Sequence, residues 1–276
     1  MLTRKQHYYP RSLLKFFANT KGNVFSYVCK TNKIVRVKPE NICHRKDTYE
    51  SGGVVDNILE NKLSQIESQI SPIVYHILDG LNKNDLFISD LQKDNLFRYI
   101  WLQYLRTDAG RVNFINLWEN PQKYKPRIRP IEVHEIDNNS EKIEKFNLVF
   151  KNSDNFEKYF LSLNCPDSMK LHVAISDKPL LTSDNPVIGI DNWKQIVMPI
   201  HPHVCIEFQD VDISSSENLV VVLSDEKTAF LNMAMINTAN YYVISSEQFT
   251  FDQNCYIYNR FRNVYWAFPE GFFANK

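Results

Sequence analysis

Glycine is scarce, at 7 of 276 residues, and that argues against phosphate cradles made of glycine-rich loops. Cysteine is not organised. Cys29, Cys43, Cys165, Cys205 and Cys255 are scattered, odd in number and without a C-x-x-C pair, a pattern that favours free thiols in a reducing compartment over a disulfide frame or a zinc knuckle. An excess of either charge is also missing: 32 Lys and Arg balance 32 Asp and Glu. A global electrostatic hold on nucleic acid is therefore absent, and tight sequence-independent binding to duplex DNA is not expected. No apolar run approaches the length of a transmembrane helix. The opening Met1-Leu2-Thr3-Arg4-Lys5-Gln6-His7 offers no apolar signal core, so a cytoplasmic protein without a membrane partner is expected. There is no Walker loop, no G-x-S-x-G elbow and no H-E-x-x-H, which disfavours those enzyme classes.

What the chain does have is rings and length. Aromatic residues make up 13%, chiefly 18 Phe and 14 Tyr. A chain of this size buries about three quarters of its unfolded surface, so it needs no metal or disulfide to fold. Val24–Val28 and Ile34–Val37 read as a small hairpin stopped by Pro39. From Val55 the apolar residues recur at steps of three and four, through Leu59, Leu63, Ile66, Ile70, Ile73 and Ile77, as in an amphipathic helix. Pro72 predicts a kink there, or two helices meeting. A second helical stretch is expected over Ser89–Trp118, and a third over Ser140–Leu163 with a break at Asn152-Ser153-Asp154. Beyond it, Leu171–Ile175, Ile196–Met198, Val204–Phe208, Leu219–Leu223 and Tyr241–Ser245 read as strands, interrupted by a helix over Asp225–Thr238. Helices gather early and strands late, so the expected class is α+β, with a helical N-terminal half packed on a mostly antiparallel or mixed sheet from the C-terminal half. The proline- and base-rich Lys123–Pro130 marks the boundary between residues 1–130 and 131–276, within one compact unit.

Four segments hold residue types able to do chemistry. In His7-Tyr8-Tyr9-Pro10-Arg11, the imidazole can transfer a proton near neutral pH and Arg11 can grip a carboxylate or phosphate at two points. A purely docking role for this aromatic segment fits as well. Tyr99, Gln103, Arg106 and Gly110 share one helical face, suited to a polar ligand or to solvent. Glu60 and Glu67, at the edge of an apolar stripe, suit acid/base or metal work, or plain ion pairing. Thr182-Ser183-Asp184-Asn185-Pro186-Val187 sets turn-forming residues between apolar runs and serves either as a tight turn or as a loop presenting a carboxylate and a carboxamide. His201-Pro202-His203 has metal-ligand types but no convincing third and fourth ligand, so no metal and no cofactor is assigned.

Taken in order, these segments resemble the bacterial family catalogued as domain of unknown function 4238. The resemblance runs through His7-Tyr8-Tyr9-Pro10-Arg11, Leu59-Glu60, Ile66-Glu67-Ser68, Gln103-Tyr104-Leu105-Arg106-Thr107, Thr182–Val187, Met198-Pro199-Ile200-His201-Pro202, Leu231-Asn232 and Tyr241-Tyr242-Val243. Asp108 stands where the family often has proline, implying that the helix runs on. His201 replaces a usual small polar residue. The resemblance implies which positions to watch: His7, Arg106 and Asp184 as catalytic candidates, with Arg11, Gln103 and Asn185 binding the ligand. These six are expected to converge on one pocket. The reading that follows is an enzyme or effector acting on a phosphate-bearing substrate, RNA or a nucleotide, in a defence or toxin setting. Its rivals are a non-catalytic module for a small anionic ligand and a structural protein in which the same residues are a lock. A buried His–Asp or Arg–Asp link would favour the lock; an open pocket with unpaired groups would favour the others.

Overall fold

The computed structural model describes residues 2–123, 130–213, 216–263 and 265. In chain order its strands are β1 (Lys5–His7), β2 (Val24–Val28), β3 (Lys33–Val37), β4 (His44–Lys46), β5 (Met169–Ile175), β6 (Thr182–Ser183), β7 (Ile188–Ile190), β8 (Gln195–His201), β9 (Val204–Asp210), β10 (Val220–Val222) and β11 (Tyr242–Ser245). Its α-helices are α1 (Arg11–Leu14), α2 (Ile58–Lys83), α3 (Asp90–Leu105), α4 (Asp108–Glu119), α5 (Val133–Asp137), α6 (Ser140–Lys151), α7 (Ser153–Phe156), α8 (Asp225–Thr238) and α9 (Phe251–Arg262). The class is α+β. Among the described residues no helix is long and apolar enough to cross a membrane.

The chain forms two compact units, each drawn from discontinuous stretches: Met1–Pro10, His44–Tyr124 and His134–Asp167 in the first, and Arg11–Cys43, Lys125–Val133 and Ser168–Lys276 in the second, over the described residues of each. The expected boundary at Lys123–Pro130 falls, over residues 124–129, outside the described residues.

The first unit is helical around a two-stranded antiparallel ribbon of β1 and β4. Helix α2 runs unbroken through Pro72. A proline inside a helix costs about 3 kcal/mol, but Leu59, Leu63, Ile66, Ile70, Ile73 and Ile77 are all buried along the helix. Each such side chain contributes roughly 1.5–3 kcal/mol, enough together to hold the helix past the proline. The stretch expected to be one helix over Ser89–Trp118 is two, because Thr107 breaks it: its side chain accepts from the Gly110 N–H at 3.0 Å and caps α4. Asp108 therefore opens a new helix instead of continuing the old one. Gly110 is required for packing: a Cβ there would lie 2.0 Å from the Tyr104 carbonyl oxygen. The break expected near Asn152 lies where α6 ends and the Asn152 side chain caps α7. Much of the aromatic surplus gathers in this unit, with Phe114 5.5 Å from Phe146 and 5.1 Å from Phe150, and Phe150 4.8 Å from Phe160.

The second unit holds a five-stranded sheet in the order β10-β5-β9-β8-β7 and a four-stranded one in the order β3-β2-β11-β6. All neighbours are antiparallel except β10 with β5. The expected hairpin is β2–β3, and it corrects the idea of a sheet built by the C-terminal half alone. Two of the four strands of the second sheet come from residues 24–37, because β2 finds its second partner in the distant β11. Helix α8 buries Leu231, Ala234, Met235 and Ile236 in a core shared with Tyr27, Val197, Cys205 and Val243.

Candidate functional site

The polar face of α3 is neither solvated nor open to a ligand: Tyr99, Gln103 and Arg106 are all buried. Such groups must find partners inside the protein, and they find them in the opening motif. The Gln103 Nε2 donates to the Tyr8 carbonyl at 2.9 Å, while the Tyr99 hydroxyl donates to the Gln103 Oε1 at 3.2 Å. Arg106 donates from Nε to the Tyr49 hydroxyl at 2.9 Å, and from its two terminal nitrogens to the Glu67 carboxylate and the His7 carbonyl. One turn of helix thus grips two successive carbonyls, those of His7 and Tyr8. Burial by itself lowers the guanidinium pKa, but Tyr49, Glu67 and Tyr99 around it more than offset this and raise it above its ordinary value. With each of its nitrogens on a protein acceptor, Arg106 positions the chain and does not await an anion.

The strand so held is β1, and its register with β4 supplies the part that the sequence hid. Lys5 stands opposite Lys46, Gln6 opposite Arg45 and His7 opposite His44. Side chains alternate along a strand, so Lys5, His7, His44 and Lys46 share one face and Gln6 and Arg45 the other. The face of Gln6 and Arg45 is tied down. Gln6 is fully buried and bonds the Glu50 carboxylate at 2.6 Å and the Tyr49 N–H at 2.8 Å, and Arg45 pairs with Asp108 at 2.5 Å. On the outer face Lys5 and Lys46 are exposed and the two histidines half-buried, with ring centroids 5.2 Å apart. Two imidazoles flanked by two ammonium groups can hold a phosphate and move protons at it.

Glu60 is close enough to Arg106 to interact with it electrostatically. The Glu60 Oε2 is buried and has no hydrogen-bond partner. Burial, with Glu67 and Glu50 nearby and opposed by Arg106, pushes the Glu60 carboxyl up to about 7. The folded protein therefore keeps this proton at pH values where the unfolded chain has lost it. That contribution to stability is full below about pH 4.5 and is lost as pH rises through about 7. Glu60→Gln, neutral at every pH, should flatten this slope. Urea unfolding at pH 5 and pH 7.5 is expected to show the variant gaining about 2 kcal/mol on the wild type between them. An equal slope in both proteins would remove Glu60 as a titrating group.

In the second unit Asp184 is fully enclosed. Its Oδ1 accepts from the backbone N–H groups of Asn240, Tyr241 and Tyr242 at 3.2, 2.9 and 2.8 Å. Burial pushes its pKa up to about 7 against the pull of those donors. The Asn185 Nδ2 donates to the Thr238 carbonyl at 2.7 Å and the Asn240 Oδ1 at 2.6 Å, and the Asn240 Nδ2 reaches the Ile131 carbonyl at 2.7 Å. The Ser-Asp-Asn-Pro segment is thus a buried clasp on the passage from α8 to β11, not an exposed loop. Arg11, at the start of α1, is exposed. His201 and His203 have ring centroids 6.0 Å apart, and the His203 Nδ1 meets the Ser176 carbonyl at 2.9 Å. Among the described residues no group of three or more His, Cys, Asp or Glu is placed to hold a metal. Burial raises the thiols of Cys29, Cys43 and Cys205 well above their ordinary range, so these are poor nucleophiles.

Of the six expected site residues, then, His7, Gln103 and Arg106 meet in the first unit through backbone, and Asp184 and Asn185 meet in the second. His44, Lys5 and Lys46 went unread because only the β1–β4 register joins them. The profile of one family, described as Protein of unknown function (DUF4238), matches residues 5–249. No curated protein and no solved structure matches the chain.

Proposed function

The chain belongs to the DUF4238 family of proteins of unknown function, and from that premise we propose that it acts on a phosphate-bearing substrate, RNA or a nucleotide, at the outer face of the β1–β4 ribbon. The observation that carries this reading is the direct pairing of His7 with His44, flanked by Lys5 opposite Lys46. Like charges opposite each other weaken a strand pair by a few tenths of a kcal/mol to about 1 kcal/mol. A phosphate bound over this face would bring negative charge to both lysines. In the chemistry proposed, one imidazole takes the proton from an attacking 2′-hydroxyl as its oxygen bonds to phosphorus. The other protonates the 5′ oxygen as the P–O5′ bond breaks, leaving a 2′,3′-cyclic phosphate and a 5′-hydroxyl. The lysines stabilise the charge on the phosphoryl oxygens. Arg106 and Gln103 contribute by fixing the backbone from which His7 projects.

A structural reading is favoured for the remaining motif residues by a specific observation: Gln103, Arg106, Asp184 and Asn185 are all buried and bonded to the chain itself. Lock and site are different parts of the same motif set.

The test is cleavage of a labelled single-stranded RNA oligonucleotide, and in parallel hydrolysis of a nucleoside triphosphate, in chelator. His7→Ala and His44→Ala should each lower kcat about 100- to 10,000-fold, the usual weight of a general acid or base. Lys46→Ala should act mainly on KM, and thermal stability should hold in all three. A wild-type protein that neither binds nor alters either substrate, or histidine variants as active as the wild type, would defeat the proposal.

A further inference from the structure

Strand β3 is the edge of the four-stranded sheet, and the features around it single it out. It pairs on one side with β2, through Val24↔Val37, Phe25↔Arg36, Ser26↔Val35, Tyr27↔Ile34 and Val28↔Lys33. On its other side no strand lies among the described residues. Its first four residues are exposed, including Ile34 at 48% and Val35 at 37%. An exposed edge of this kind is a template for another chain, and a bulge, a proline, a cover or charged side chains limit what it accepts. Here the ladder is regular from end to end, and the first proline, Pro39, comes after the strand.

Beside the edge is a groove of about 360 Å³, lined by Phe25, Ile34, Arg36, Gln248 and Phe249 among others. Phe25, opposite Arg36 in the ladder, and Ile34, two residues before it, share one face of the sheet. A strand added to β3 would therefore lay every second side chain over this groove, whose lining joins Phe25, Ile34 and Phe249 with Arg36, Gln248 and Asn254, the arrangement by which strand addition combines backbone affinity with side-chain choice.

Charge selects the occupant. The segment Lys30-Thr31-Asn32-Lys33-Ile34-Val35-Arg36-Val37-Lys38 holds four cations and no acid, in a chain whose net charge is zero. A second copy of the same edge would bring Lys33 and Arg36 up to their own kind, and basic edge residues oppose such self-pairing. An acidic strand meets the reverse condition. We propose that β3 is a docking edge for an extended acidic peptide segment of a partner protein, which adds as a fifth strand and places an apolar side chain in the Phe25–Phe249 groove.

The probe is a fluorescein-labelled decapeptide alternating glutamate with valine, titrated with the full chain and read by anisotropy. Binding in the micromolar range is expected, weakening as salt rises from 50 to about 300 mM, as for exposed charges screened over a Debye length. The double variant Lys33→Glu/Arg36→Glu should bind at least about tenfold more weakly, with an unchanged melting temperature. The same peptide N-methylated along its length, unable to donate to a ladder, should not bind, and neither should a lysine–valine counterpart. Absence of binding by the unmodified acidic peptide would overturn the proposal. So would equal binding of the N-methylated one, which would reduce the contact to charge alone. Concentration-dependent dimerisation of the wild type that Lys33→Glu/Arg36→Glu abolishes would also overturn it, in favour of a second copy as occupant.

Discussion

Arg106→Leu is expected to lower the melting temperature of the protein by about 6–20 °C. The side chain is 2% exposed and serves Glu67, the His7 carbonyl and the Tyr49 hydroxyl at once. Removing one partner of a buried pair costs about 3–5 kcal/mol, because the charge left behind has lost its compensation. For a domain of this size each kcal/mol is worth about 2–4 °C. Two companions separate this from a simple loss of packing. Arg106→Lys keeps the charge but offers a point donor in place of a planar fork that spans three acceptors, so it should recover little of the loss. Glu67→Gln should cost much less, since the Glu67 side chain is 21% exposed, where solvent screens the charge, and the Gln amide oxygen can still accept from the guanidinium. Amide exchange over Lys5–His7 should rise in Arg106→Leu before it rises in α2. A variant that melts within a degree of the wild type would show that the guanidinium does not hold the ribbon.

That prediction rests on a link no local pattern reveals. The long elements were legible because their signal is periodic and their partners are apolar. The three- and four-residue steps from Leu59 to Ile77 mark α2, and short β-branched runs mark β5, β9 and β11 whatever they pair with. The break at Thr107 was half legible. Thr107-Asp108 with Gly110 is a capping sequence, yet Asp108 in place of a family proline points to a continuing helix, and the two signals conflict. Polar faces are ambiguous in sequence for one common reason. A glutamine and an arginine three apart look alike in sequence whether they meet water, a ligand or a backbone carbonyl, and the choice depends on what lies over them. Here it is the chain's own opening strand, from nearly a hundred residues upstream. Likewise His44 carried no signal of its own. Its importance comes from the residue across the ribbon, and antiparallel register over a long separation is set by tertiary contacts such as Gln6 with Glu50 and Arg45 with Asp108.

Asp184 provides the sharpest separation of lock from catalyst. Helix α8 ends at Thr238 and β11 begins at Tyr242, so Asn240, Tyr241 and Tyr242 carry backbone N–H groups through a turn. The carboxylate of Asp184 accepts from all three, while the carboxamide of Asn185 holds the Thr238 carbonyl and Asn240. Asp184→Ala would leave three donors in a place where the wild-type side chain is 2% exposed. An unsatisfied buried donor costs about 1–3 kcal/mol, and partial hydration of the opened turn offsets some of it. A net loss of about 3–5 kcal/mol is expected, or a fall of about 6–20 °C in melting temperature. Asp184→Asn keeps the shape and one acceptor oxygen but turns an NH2 group toward N–H donors, so an intermediate loss of about 2 kcal/mol is expected. The amides of Tyr241 and Tyr242 should report the same order, exchanging fastest in the alanine variant. Per folded molecule, turnover of RNA or nucleotide should stay within about twofold of the wild type, since the proposed chemistry belongs to His7 and His44. Were Asp184→Ala instead to melt like the wild type and lose turnover by orders of magnitude, Asp184 would be catalytic and the clasp reading would fall.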